Sequence, residues 1–533
     1  MNSITDLLLY LPNELSDLIN YFLDVASIFA LSCTSITHRR QFQTTPTIID
    51  IYKSAVENHH INLIKWLIPQ PQLTTMDLRR ALCLKAAESN SLEILKYLQH
   101  NVPVQPFERT SNLFQTAIQN GSLDVAKWYH SLYGSKCMSK SYISSLAAGH
   151  GHLDILNWLH LNGCPWDSMT CASATNNFEV LKYLHENGCP WDISACRNAV
   201  INGNLEILKY LHENGCPWDV ILCSSAAKNG HVEVLKYLHE NGCPWNDDAC
   251  DHAAGQGHLD ILKYLHENGC PWGRITCVNA AKNGHLEIPK YLHEHGCPWD
   301  EEACVKAAQN GHLDVLKYLH ENGCPWNSRA CMTAIRNNHL DVLKYLHENG
   351  CPQIDDVCTY AAVNNCLDIL IYLTENGYLI ENEILSTICK VAGNGHFDIL
   401  KYLHKNGCSW DIGAFSNAVA NGHFEIVKYL HENGCHWGTS VCAGAAKYGH
   451  FEILKYLHEN GCPWDENACR FAASNGHLEI LKYLHENGCP WDSYACICTE
   501  ASIYFRNEVL EYLHENGCPC QLHNCKYCKK YMY

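Results

Sequence analysis

The chain has 533 residues, a formal net charge of −18 and 33 cysteines. That acidic balance is a poor match to a phosphate backbone, which demands clustered lysine and arginine, so nucleic acid is not expected as a partner. Cysteine at this density would frame a small secreted domain, but a chain this long can bury a continuous core, and reduced thiols inside a cell, in the cytoplasm, are expected.

The opening "MNSITDLLLYLPNEL" has an apolar run, but Asp6 precedes it and Pro12 interrupts it, so neither a signal peptide nor a membrane span is read. Pro12 suits the first turn of a helix, and Leu15, Leu18, Ile19, Phe22 and Leu23 form a helical stripe. In order and spacing, Leu11, Pro12, Glu14, Leu15, Ile19, Leu23, Ser32 and Cys33 resemble an F-box, although the tryptophan that often closes that motif is absent. The resemblance implies that residues 1–45 dock, through Leu11, Pro12, Glu14, Leu15, Ile19 and Leu23, on the small adaptor subunit of a cullin-type ubiquitin ligase. The alternative is a segment that caps the first repeat.

From Ile61 to Asn507 the chain repeats itself in seventeen units, and ten of the sixteen spacings are 27 residues. Such a period means a solenoid. Residues 46–150 are divergent copies and 151–517 regular ones. In "DEEACVKAAQNGHLDVLKYLHENGCPW", Asp300 to Trp326, Asp300 is a candidate N-cap. From Glu301 to Gln309, Ala303, Cys304, Ala307 and Ala308 share one arc of a helix, with Glu302, Val305, Lys306 and Gln309 on the other. A second helix is predicted from near His312, with Leu313, Val315, Leu316 and Leu319 as its apolar stripe and Gly323 as its end. Stretches such as "AAQNGHLDVLKYLHENGC" resemble the helical part of ankyrin repeats, over roughly residues 50–517. The resemblance implies an all-α solenoid of helix pairs that binds protein. The period falls about six residues short of that family's usual 33, which removes its projecting hairpins. An F-box followed by such units also resembles host-directed proteins of large DNA viruses of protists, which would place the chain in a host's cytoplasm.

Within the repeat, cysteines seven apart such as Cys189 and Cys196 suit small buried slots, and Trp191 suits packing between units. His185 and its counterparts stand where imidazole can donate to the free carbonyls of a helix end. "AAGQGHLD" follows a helix rather than a strand and is no phosphate loop, and "HEHGC" lacks the second histidine of a zinc protease. No enzyme and no cofactor are expected. Pro289 replaces the leucine of "EILKYL" in the second turn of its helix, which predicts a bend.

Positions that stay fixed between units must serve the stacking common to all of them, and positions that change are free to serve a partner. On the first helices these are Arg197, Asn198, Asp251, His252, Asn279, Lys282, Lys306, Gln309, Met332, Arg336, Tyr360, Arg470 and Phe471. They are expected to line an accessible inner wall that rises roughly 8–10 Å per unit. In the tail, residues 518–533, Cys518, Cys520, His523, Cys525 and Cys528 supply soft ligands at short spacings. Cys518 and Cys525 are the repeat's own pair, so a frayed capping unit without metal is expected.

Overall fold

The computed structural model describes residues 56–57, 59, 61, 64, 76–101, 111–353, 355–378, 384–495 and 506–518. The F-box-like residues Leu11 to Leu23 and the tail residues Cys520, His523, Cys525 and Cys528 lie outside them. Among the described residues there is no strand, and no helix is long and apolar enough to cross a membrane. They form two units that divide after Pro244. The first holds six helix pairs, from Met76–Glu88 with Leu92–Asn101 to Val220–Asn229 with Val232–Glu240. The second holds nine, from Asp247–Gln256 with Leu259–Glu267 to Glu466–Ser474 with Leu478–Glu486, followed by Arg506–Glu515.

One repeat shows how short-range chemistry sets each pair. The Asp300 carboxylate accepts from the Glu302 N–H at 3.1 Å and starts the helix Glu301–Gln309. Ala303, Cys304, Ala307 and Ala308 on its inner arc are fully buried, as are Val315, Leu316 and Leu319 of Leu313–Glu321. Gly323, at φ +84°, closes the second helix. Its N–H donates to the His320 carbonyl at 3.0 Å and the Cys324 N–H to that of Leu319 at 2.9 Å, the two bonds of a left-handed helix end. The Cys324 thiol, thus turned inward, donates to the Asp300 carbonyl at 3.3 Å and ties the end of the pair to its beginning.

Adjacent pairs are joined through the histidine of "NGH". His312 Nε2 donates to the Lys282 carbonyl of the preceding pair at 3.1 Å, satisfying an otherwise orphaned helix end. Its ring lies against Gly284, where a Cβ would approach Nδ1 to 2.6 Å. The glycine of one repeat is therefore required by the histidine of the next.

Two expectations need correction. Val305, assigned to the outer arc, is 1% exposed, because the position after the cysteine faces the neighbouring pair. Pro289 does not stand in the second turn of its helix: Glu287–Glu294 starts one residue later than counterparts such as Leu313–Glu321. This start puts the proline in the first turn, where a missing N–H costs least. The counterpart bond, Leu316 N–H to the His312 carbonyl at 3.0 Å, has no equivalent at Pro289. Pro289→Leu is expected to restore it and stabilise the protein by about 0.5–1.5 kcal/mol. Hydrogen exchange at residues 286–296, faster than at 313–323 in the natural chain, then slows to match. Unchanged exchange would remove the proline as its cause.

Candidate partner-binding face

The changing positions of the first helices divide by what they touch. Arg197, Asp251, Met332 and Arg470 directly follow the buried cysteine (Cys196, Cys250, Cys331, Cys469) and are half-buried. Arg197 pairs with Asp219 of the next repeat at 2.6 Å, and Arg470 with Asp492 at 2.7 Å. Asp251 accepts from the Thr276 hydroxyl at 2.5 Å, and burial raises its carboxyl above the usual range. One position further on, Asn198 reaches back to the Ala172 carbonyl at 2.8 Å and Asn279 to that of Asp251 at 3.4 Å. These residues change between repeats, yet they bond one pair to its neighbour.

The rest of the row is more open. Lys282 and Arg336, at the ends of their helices, are exposed. Lys306 donates to Gln309 at 3.0 Å and lies 3.6 Å from Glu302, within its own helix. His252 Nδ1 donates to the Asp248 carbonyl at 2.7 Å, also within its helix. Tyr360 and Phe471 are half-buried, with the Lys447 ammonium 5.9 Å from the Phe471 ring centroid. This leaves a polar face with aromatic and basic side chains.

Sequence reasoning missed the apolar contribution to this edge. Met169, Ile221 and Ile275 are 54%, 47% and 53% exposed at the second residue of their first helices. Other repeats carry Ser194, Asp248, Glu302 or Arg329 there. That contrast between repeats was the available signal.

The second helices carry a fixed aromatic ladder instead. His320 stacks on Trp326 with ring centroids 3.7 Å apart, and its Nδ1 shares a 2.9 Å hydrogen bond with the Tyr345 hydroxyl of the next repeat. The same arrangement joins His458, Trp464 and Tyr483. These imidazoles therefore bond a neighbour's phenol rather than the carbonyls of their own helix end. The cysteines of the described residues form no disulfides and most are buried, and burial pushes Cys297 up to about 12 and Cys358 up to about 11. Such thiols are packing groups, not nucleophiles. Among the described residues no group of three or more His, Cys, Asp or Glu is placed to hold a metal. Cys518 donates to the Asp492 carbonyl at 3.4 Å, the bond Cys324 makes in its own repeat.

A family model for ankyrin repeats in three copies matches residues 196–274, 251–329, 277–357 and 304–386, and a second, for ankyrin repeats in many copies, matches 169–212, 385–431 and 444–485. No curated protein matches the chain. With helix pairs in the register of the repeat and more than half of its length under these models, the chain belongs to the ankyrin-repeat proteins, a family of protein-binding scaffolds.

Proposed function

We propose that the chain is a non-enzymatic substrate receptor of a cullin-type ubiquitin ligase, holding a protein substrate on its first-helix face while residues 1–45 engage the small adaptor subunit. The observation that carries the substrate half is the contrast within one repeat. Ala303, Cys304, Ala307 and Ala308 are fully buried and their counterparts in other repeats stay small or apolar, whereas the register of the exposed Lys282 and Arg336 changes to Gly255, Gln309 or Ser474. Aromatic and arginine side chains dominate interface energetics, so Tyr360, Phe471 and Arg336 are the anchors on this reading. The ligase half rests on the order of Leu11, Pro12, Glu14, Leu15, Ile19 and Leu23. A second reading, a scaffold without ligase coupling, is favoured by the missing closing tryptophan of that motif.

Replacing Leu11, Pro12 and Leu15 together by alanine distinguishes the two. Ligase subunits are expected to co-purify with the natural chain and to be lost from this variant, with solubility and captured substrates retained. If solubility collapses instead, the segment is a cap and the scaffold reading stands.

A further inference from the structure

In the second unit the connections 407–411 and 433–437 of consecutive pairs border a cleft of about 690 Å3. The repeat departs from its own rule here. Ser409 and His436 replace prolines such as Pro298 and Pro325, and Gly438 caps the next helix where Asp300 does so elsewhere. Trp410 and Trp437 wall the cleft, held against His404 and His431 with ring centroids 4.1 and 4.0 Å apart.

Asp411 on its rim is exposed. Its Oδ1 accepts from the Gly413 N–H at 2.9 Å and the Cys389 thiol at 3.6 Å, and its Oδ2 has no partner among the described residues. In three other repeats the Oδ2 of the capping aspartate holds a guanidinium of the chain itself: Asp219 with Arg197 at 2.6 Å, Asp300 with Arg274 at 2.8 Å and Asp492 with Arg470 at 2.7 Å. Arg274 is the first residue of its helix and reaches the cap of the next one. For Asp411 the position 22 residues earlier, where Arg197 and Arg470 stand before their aspartates, holds Cys389, and the position 26 earlier, where Arg274 stands before Asp300, holds Leu385. Here the chain supplies a carboxylate and indole walls but no arginine of its own.

We propose that this cleft receives one arginine side chain of a bound protein, its guanidinium paired with Asp411 and lying against Trp410 or Trp437. The inference rests on the protein-binding reading above and adds a specific site to it. A planar, weakly hydrated guanidinium can pair and stack at once, which the compact ammonium of lysine does not.

Two labelled peptides of alternating glycine and arginine, or glycine and lysine, test this by titration into the full chain. Asp411→Asn keeps a capping side chain, as Asn327 caps its own helix by accepting from Arg329 N–H at 3.0 Å. Leu385→Arg places an arginine before Asp411 in the register that Arg274 holds before Asp300. The arginine peptide is expected to bind at least about tenfold tighter than the lysine peptide, and each substitution to lower its affinity by about tenfold without changing the lysine peptide's. Equal binding of the two peptides, or an unchanged affinity in Asp411→Asn, overturns the site. If the chain still captures proteins in that case, only the arginine site is lost. If it captures none, the reading beneath it fails as well.

Discussion

Above pH 9 the protein is expected to lose stability steeply. Four thiols buried between the helices are pushed up, Cys83 and Cys297 to about 12 and Cys358 and Cys435 to about 11, with burial the first cause in each, whereas hydrogen bonds from Cys196, Cys223 and Cys331 lower Cys216, Cys243 and Cys351. In the unfolded chain a thiol ionises near 8.5–9. Below that pH both states hold the proton and these thiols add no pH dependence. Above it the unfolded chain releases protons that the fold retains, so each such thiol removes up to about 1.4 kcal/mol of stability per pH unit, less for those nearer water. Tyrosines such as Tyr345, raised by burial, act in the same direction from about pH 10 upward. Urea unfolding under reducing conditions should show a constant midpoint to about pH 8.5 and a fall from pH 9 onward. A midpoint that holds to pH 11 would mean that the thiols are not sealed in the core.

Gly284→Ala is expected to cost roughly 2–4 kcal/mol, combining a side chain in the left-handed region with overpacking. Gly284 has φ +78°, and the new Cβ would meet His312 Nδ1 at 2.6 Å. The ring cannot swing aside without giving up its bond to the Lys282 carbonyl. Gly296 is the control: it has φ +73° but no atom within 4 Å of a Cβ, so Gly296→Ala should cost only about 1 kcal/mol, the backbone part. Because repeat arrays lose stability locally, hydrogen exchange in the flanking pairs should rise with the Gly284 variant before the rest of its unit responds. Equal losses at the two glycines would show that the histidine contact contributes nothing.

What could be read from the sequence was what is decided within about ten residues. The Asp300 cap, the helix Glu301–Gln309 with its small buried arc, and the stop at Gly323 all follow from local periodicity and capping chemistry. What escaped is decided between repeats. Val305 could not be assigned without knowing which side its neighbour covers, and Arg197 looked free because its partner Asp219 lies 22 residues on, at the cap of another helix. The bond of His320 to Tyr345 spans 25 residues and competes with a plausible local one. The Pro289 helix starts one residue later than its counterparts, which places the proline in the first turn, where its missing N–H costs least. The candidate face was legible only as a list of changing positions, and the contacts of Arg197, Asn198, Asp251, Asn279 and Arg470 separate stitching from exposure within it.

The central claim is that the varied first-helix residues that make no bond to a neighbouring pair are the ones that hold the partner. It is tested most directly by Lys306→Glu, Arg336→Glu and Tyr360→Ala combined, three changes on the first-helix face outside the buried arc. Proteins captured by the full chain and by this variant are compared by affinity purification, with thermal unfolding as a check that both are folded. The account predicts that substrate capture is lost while whatever binds residues 1–45 remains. An unchanged set of captured proteins from a folded variant would contradict it.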